Sequence, residues 1–325
     1  MNVALRRLGF YLVSAWASIT LNFAIPRLMP GDPAAALVAR FKGQMSPEAM
    51  RALRHAFGLV PGSTLTQYFT YLAHVARGDL GLSIAYFPAP VTEVIGTGLG
   101  WSLGLGVFSL LVSFTLGTLL GVAAAWRRGG RVDSILPPAL SFLGAFPYFW
   151  LAMLVLYLFG FTLHWFPLQH ARDPDLATAG ASFGAVVDVV SHAVLPALTV
   201  VLATLGGWML SMRGAMLAVL GTDAIKLATA KGLPPQRIMW AYAARNALLP
   251  SVTSFGMALG FVVGGSLLTE IVFSYPGLGY LLVQAVRNQD TPLMQGLFLI
   301  ITLSVLAATF FVDLLYIWLD PRART

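Results

Sequence analysis

The chain reads as an all-α protein that crosses a membrane several times, and three observations carry that reading. Of its 325 residues, 58% are hydrophobic and only 10% charged, where a soluble domain carries roughly a quarter charged residues. Six uncharged runs reach the length, about 20 residues, that a helix needs to cross about 30 Å of hydrocarbon. Lysine and arginine then gather in alternate connections between those runs, the pattern left by residues that resist translocation.

The runs are Leu8 to Pro26, Leu99 to Trp126, Ile135 to Phe161, Val194 to Met212, Leu248 to Thr269 and Leu293 to Val312. The first follows Arg6 and Arg7, and Ala15-Trp16-Ala17 within it mimics a signal cleavage site. Apolar sequence continues past that site to Ile25, which favours an uncleaved span. With both termini cytoplasmic, the inner side holds Arg6, Arg7, Arg127, Arg128, Arg131, Arg213, Lys226, Lys231, Arg237, Arg245, Arg322 and Arg324, which are 12 of the 20 basic residues. The short outer loops hold only Arg172 and Arg287.

Three regions follow. Residues 1–28 supply the N-terminal end and first span, residues 29–98 an extracytoplasmic helical segment, and residues 99–325 a core of five further spans with a polar loop at 213–247. In the outer segment, Ser46 before Pro47 marks a helix start, with Met50, Leu53 and Phe57 on one face and Gly58 as its end. Tyr68, Phe69, Leu72 and Val75 mark a second amphipathic helix ahead of Arg77-Gly78-Asp79-Leu80-Gly81. Pattern alone fits equally a cap or partner site on the outer face and two helices lying on the membrane surface.

The most informative stretch is 213–250, a basic, helix-forming island between uncharged runs. It predicts two short helices. Thr222 or Asp223 caps the first, Gly232 suits its left-handed stop, and Pro234 or Pro235 fits the opening turn of the second. In the second, Ile238, Met239 and Tyr242 fall on one face while Gln236, Arg237 and Arg245 stay wet, a pattern suited to a partner's groove.

Small residues recur at helical spacing, Ser113, Gly117, Gly121 and Ala125 in one span and Gly256, Gly260 and Gly264 in another. Such ridges let helices approach closely, either within the chain or against a partner. Pro147 and Pro196 lie inside apolar runs as kink or break positions. Glu270 and Asp313 sit at or near span ends, where a structural role outweighs that of a proton carrier.

Several function classes are excluded by what is missing. There is no cysteine, hence no disulfide framework, thiolate metal site or thiol nucleophile. The sequence has no HExxH and no G-x-x-x-x-G-K-[ST] loop, so it carries no visible metal or nucleotide site of its own. The net charge of +7 points to anionic lipid rather than nucleic acid, for which no motif exists.

Five stretches in order carry a resemblance. Leu28-Met29-Pro30-Gly31-Asp32-Pro33 comes first, then Arg77-Gly78-Asp79-Leu80-Gly81. Ala228-Thr229-Ala230-Lys231-Gly232-Leu233 follows, with Arg245-Asn246-Ala247-Leu248-Leu249-Pro250. Thr269-Glu270 through Phe273 to Pro276-Gly277-Leu278-Gly279 is the fourth. Asp313-Leu314-Leu315-Tyr316 with Asp320-Pro321-Arg322 is the last. Together they resemble the first permease subunit of ABC importers of the dipeptide/oligopeptide/nickel type. Departures from the generic coupling motif stand at Lys226 and Leu227, where Glu-Ala begins it, and at Tyr242 to Arg245, where Ile-x-Leu-Pro is usual. Tyr242 also replaces a histidine.

That resemblance implies a type I permease fold and a pore subunit without catalysis of its own. It implies a second, similar permease, two cytoplasmic ATPases that bind ATP and Mg, and an extracytoplasmic solute-binding protein, all in a bacterial or archaeal inner membrane. The coupling element then comprises Asp223, Ala224, Lys226, Ala228, Ala230, Lys231, Gly232, Arg237, Tyr242, Arg245 and Asn246. Phe146, Tyr148, Glu270 and Phe273 are candidates for pore or gate, and the aromatic run Phe142, Phe146, Tyr148, Phe149 and Trp150 fits a loosely selective passage or a bilayer face. Peptide, nickel chelate and oligosaccharide cargo all remain open. So, on residues alone, do an ion-gradient-driven carrier using Glu270 or Asp313 and a membrane-embedded scaffold or enzyme.

Overall fold

A computed structural model describes residues 3–28, 48, 63–173, 182–262 and 267–319. The described residues form helices and no strand beyond one isolated bridge, Leu82 to Pro90. Apart from residue 48, the predicted helix at 46–58 lies outside the described residues, as do the Pro30-Gly31-Asp32-Pro33 and Asp320-Pro321-Arg322 stretches and Gly264.

Among the described residues, four helices are long and apolar enough to cross a membrane: α1 (Val3–Leu28), α3 (Val91–Trp126), α6 (Phe183–Leu220) and α12 (Thr291–Leu319). A fifth candidate is a bent pair, α4 (Arg131–Gly144) with α5 (Tyr148–Val155) and its π-helical continuation π1 (Leu156–Thr162), whose two halves meet at 102°. The predicted third span at 135–161 is therefore broken. Pro147 stands as the N-cap residue of α5, and its missing N–H and ring end the preceding helix there. The predicted fifth span falls on α9 (Arg245–Val262) and α10 (Leu267–Val272). The remaining elements are α2 (Thr64–Ala76), α7 (Asp223–Ala230), the single turn α8 (Pro235–Arg237), a second π-helical stretch π2 (Ile238–Ala244) and α11 (Leu278–Arg287).

The chain divides into two compact units. The first comprises Met1–Leu103, Val263–Leu267 and Pro276–Thr325. Here α1 and α12 run antiparallel. Arg7 and Asp313 form an ion pair at 3.0 Å, the Tyr11 hydroxyl donates to Asp313 at 2.8 Å, and Asn22 Nδ2 donates to the Gln295 carbonyl at 2.7 Å. The structural reading of Asp313 is thus realised as a clasp between helices. α2 starts at Ser63, whose hydroxyl accepts from Thr66 N, and it docks on α1. Tyr68 and Tyr71 lie against Phe23, and their hydroxyls meet Thr20 and Asn22. Phe69, expected on that face, points outward instead.

The Arg77-Gly78-Asp79-Leu80-Gly81 stretch is a helix stop. Gly78 takes φ +72°, Gly78 N donates to the Val75 carbonyl and Asp79 N to the His74 carbonyl, the paired bonds of a Schellman turn. The Pro276-Gly277-Leu278-Gly279 stretch starts α11, and Leu278, fully buried, donates its N–H to Ser102 Oγ on α3 at 2.8 Å. Asp290, which the sequence reading passed over, ties this unit together. Its buried carboxylate accepts from Ser83 Oγ at 2.5 Å, Ala85 N at 2.8 Å and, as the cap of α12, Leu293 N at 3.1 Å.

The second unit comprises Gly104–Val262 and Leu268–Tyr275. Its centre is α6, 38 residues long and so about 57 Å, which contains the predicted Val194–Met212 span and runs past it at both ends. Pro196 lies inside it. One side of α6 meets the small-residue ridge of α3. A Cβ on Gly117 would stand 2.5 Å from Trp208 Cβ, one on Gly121 2.6 Å from the Met209 carbonyl, and the Ser113 and Thr204 hydroxyls pair at 2.6 Å. This ridge therefore serves contact within the chain. On another side Gly206 meets the Leu140 carbonyl of α4, where an added Cβ would stand at 2.8 Å.

Two outcomes are expected from these contacts. Gly121→Val has no flexible neighbour to displace, and overpacking of this kind costs about 1–3 kcal/mol; the purified protein should show a lower detergent melting temperature than Gly207→Ala, whose position has open space. Asp290→Ala strands buried donors at about 1–3 kcal/mol each, and a melting curve superposing on that of the parent would refute its role as a tie.

Candidate functional site

The loop between α6 and α9 differs from the predicted island in where it begins and ends. Residues 213–220 complete α6, and α8, π2 and α9 follow one another without a break. What stands free between them is α7. Thr222 is its N-cap residue by backbone angle, but its hydroxyl donates back to the Val219 carbonyl rather than capping. The expected side-chain cap is therefore not formed, and Asp223 instead pairs with Lys226 at 2.8 Å on the exposed face. The stop behaves as predicted. Gly232 has φ +70°, its N–H donates to the Thr229 carbonyl and Leu233 N to the Ala228 carbonyl, again the Schellman pairing.

One face of α7 is sunk in the protein. Ile225 and Ala228 are buried with Val122 and Ala125 of α3, Met212 and Met216 of α6, Ile238, Ala243 and Ala244 of π2, and Ala247 of α9. Met239 and Tyr242 pack against the same cluster. The apolar face expected to fit a partner's groove is thus this unit's own core. The reason is physical: with α9 continuous back to Pro235, the first turns of that helix lie over α7 and have no other apolar surface to cover.

The free surface is the opposite side of α7. Asp223, Ala224, Lys226, Ala230, Lys231 and Gly232 are exposed there, as are Arg237, Arg245 and Asn246 on the following segment. Among them stands Leu227, 57% exposed, and Trp240 of π2 is 49% exposed. Sequence reasoning missed both. The signal was present for Leu227, which lies on the stripe Ala224, Leu227, Lys231 at i, i+3, i+7, away from Ile225. Trp240 was hidden because a π-helical stretch shifts the angular positions that an α-helical reading assigns. Asn246 Nδ2 donates to the Tyr242 carbonyl at 2.8 Å, bracing the end of π2. Arg213, counted among the cations, is fixed by Asp133 of α4 through contacts of 2.5 and 3.1 Å.

The four residues named for a passage separate into two environments. Phe146 and Tyr148 lie at the break between α4 and α5, Phe146 stacked on Trp150 with centroids 5.0 Å apart and Tyr148 exposed. Glu270 and Phe273 are enclosed, each about 1% exposed. The Phe273 carbonyl accepts from His170 N at 2.9 Å and the Glu270 carbonyl from Tyr275 N at 2.8 Å. Burial, with the Glu270 carboxylate adding to it, pushes the Tyr275 hydroxyl up to about 12, so this phenol stays protonated. No group of three or more metal-ligating side chains occurs among the described residues.

Comparison with known proteins identifies the family. Residues 117–325, which include α6, the α7 loop and the α4–α5 break, match the family described as binding-protein-dependent transport system inner membrane component. Over 98% of its length the chain is 33% identical to the di/tripeptide transport system permease protein DppB of Pseudomonas aeruginosa, covering 97% of that protein. It is 34% identical to the dipeptide transport system permease protein DppB of Escherichia coli over 100% of this chain and 99% of that one. It is 30% identical to the protein of the same description from Alkalihalophilus pseudofirmus, over 99% and 98%. Matched by the family model over residues 117–325 and end to end by such permeases, the chain belongs to the binding-protein-dependent transport system inner membrane components, as a permease subunit of an ABC importer.

Proposed function

We propose that this permease forms half of a translocation passage for di- and tripeptides or similarly small peptides. The observation that carries the cargo is the end-to-end likeness to permeases described as dipeptide and di/tripeptide transporters. The second half is a similar permease, two cytoplasmic ATPases hold ATP and Mg, and an external binding protein delivers the peptide. Both termini and the α7 loop face the cytoplasm, in keeping with the 12 basic residues on that side.

In this reading α7 is the coupling helix. Leu227 enters an apolar recess on the ATPase, while Lys226, Lys231, Arg237 and Arg245 meet an acidic rim. ATP binding closes the ATPases and draws the two coupling helices together. The passage then opens outward, receives peptide and returns inward after hydrolysis. Nucleotide and loaded binding protein supply the differential affinity such a switch requires. Glu270 and Phe273, enclosed beside the Ser274 turn at φ +47°, belong to the gate, and Phe146 and Tyr148 to the passage wall.

The deciding experiment reconstitutes the permease with its partner permease, ATPases and binding protein in liposomes and follows labelled dialanine. Uptake should require ATP and resist ionophores; uptake that survives without ATP and collapses with the ion gradient would sink the proposal. Two variants test the coupling element within that system. Gly232→Val forces a β-branched side chain into left-handed backbone and should cut uptake at least tenfold while Gly232→Asn stays within about threefold. Leu227→Glu should lose at least tenfold of the co-purifying ATPase; full recovery of ATPase with this variant would remove Leu227 from the interface.

A further inference from the structure

The break between α4 and α5 lies level with the middle of the predicted apolar run of α6. α4 runs antiparallel to α6, with Asp133 against Arg213, Leu140 against Gly206 and Gly144 against Ala203. Ala203 is the midpoint of the apolar run Val194–Met212. The helical ladder stops at this level. Ala145 N donates back to Ser141 and Phe142, Phe146 N to Leu143, and the next helix begins only at Tyr148. Around the break the surface is open: Gly144, Ala145 and Pro147 are exposed, as are Phe142 at 66%, Tyr148 at 43% and Trp150 at 46%.

Hydrocarbon does not tolerate this. Non-helical backbone at membrane depth persists only where protein covers it or where it lines a water-filled cavity, because peptide groups without helical partners find none in lipid. A tyrosine hydroxyl at that depth carries the same requirement. Of the two readings that the aromatic run allowed, a passage wall and a bilayer face, the broken backbone removes the second.

We infer that residues 144–150 form a wetted constriction that contacts the peptide in transit. This inference rests on the importer reading above. The exposed backbone around Ala145 and the Tyr148 hydroxyl would exchange hydrogen bonds with the main-chain amides that every peptide has, and the stacked Phe146 and Trp150 faces would accept side chains of any kind. Such a surface recognises a peptide without reading its sequence, the property needed where selection happens in the binding protein. It also matches the position at which discontinuous helices place substrate sites in other transporters, near the bilayer midplane.

The absence of cysteine makes the test direct. Ala145→Cys and Tyr148→Cys are made singly in the full importer, reconstituted with reagent on both sides of the membrane. A small charged methanethiosulfonate and a lipid-partitioning maleimide are compared, with and without dialanine-loaded binding protein and ATP. The expected result is reaction with the charged reagent at both positions, slowed at least threefold during dialanine turnover and unchanged by maltose. Reaction with the maleimide alone places the break in lipid and overturns the inference. Protection from both reagents places it in an interface with the second permease and also overturns it, as does a labelling rate indifferent to dialanine. Ala145→Cys keeps side-chain size nearly constant, so it remains informative if Tyr148→Cys fails to assemble. Labelling is read independently of ATP-driven uptake, so loss of the importer reading and loss of the constriction are seen separately.

Discussion

The close approach of α3 to α6 is the contact on which the second unit depends. Water does not drive helices together inside a membrane, where lipid is as apolar as leucine; van der Waals fit and hydrogen bonds must do so. Gly117 and Gly121 leave the surface of α3 low enough for α6 backbone to lie against it, and the Ser113–Thr204 hydroxyl pair adds a bond at the same seam. On its other side α6 offers Gly206 to the Leu140 carbonyl. One helix is thus gripped through glycine on two sides, with Leu205 and Met209 buried between them alongside Ala124 and Leu140. The lower turns of α6 carry Met212 and Met216 into the cluster that seats α7 and π2. The position of α7 therefore depends on a contact that lies further up α6.

What could be read from the residues follows from which forces are local. The long apolar runs located α1, α3, α6 and α12 because crossing a bilayer is a requirement on composition and length alone. Gly232 was legible because a left-handed stop needs one residue type and leaves the same signature anywhere in a chain. The ends of α6 were not legible, since Arg213 reads as a boundary by charge although Asp133 neutralises it from another helix. Nor was the role of Ile238, Met239 and Tyr242. An amphipathic face says that something covers it, and only the course of the chain says whether that is a partner or α7. Asp290 escaped for a related reason: as the residue before Thr291-Pro292 it has the form of a helix cap, but its bonds to Ser83 and Ala85 span more than 200 positions.

The same packing decides where a displacement at α7 has room to go. Close-packed side chains transmit movement rather than absorb it. Ile225 and Ala228 are enclosed with Met212 and Met216, so α7 does not shift without the end of α6. That end is joined to the start of α4 by Arg213 and Asp133, and the two helices are in backbone contact again at Gly206 and Leu140. α3, α4, α6 and α7 therefore form one block whose internal contacts resist sliding. In the α4–α5 connection, by contrast, the helical ladder is already interrupted, at residues 145–147, and short non-helical stretches of this kind are where large backbone rotations are absorbed. Along the path of contacts from α7 through α6 and α4, the first interruption of regular backbone stands beside Phe146 and Tyr148. α7 and the interrupted ladder lie towards opposite ends of α4, so in this fold the packing that seats α7 also joins it, through α6 and α4, to the segment that ends at the break.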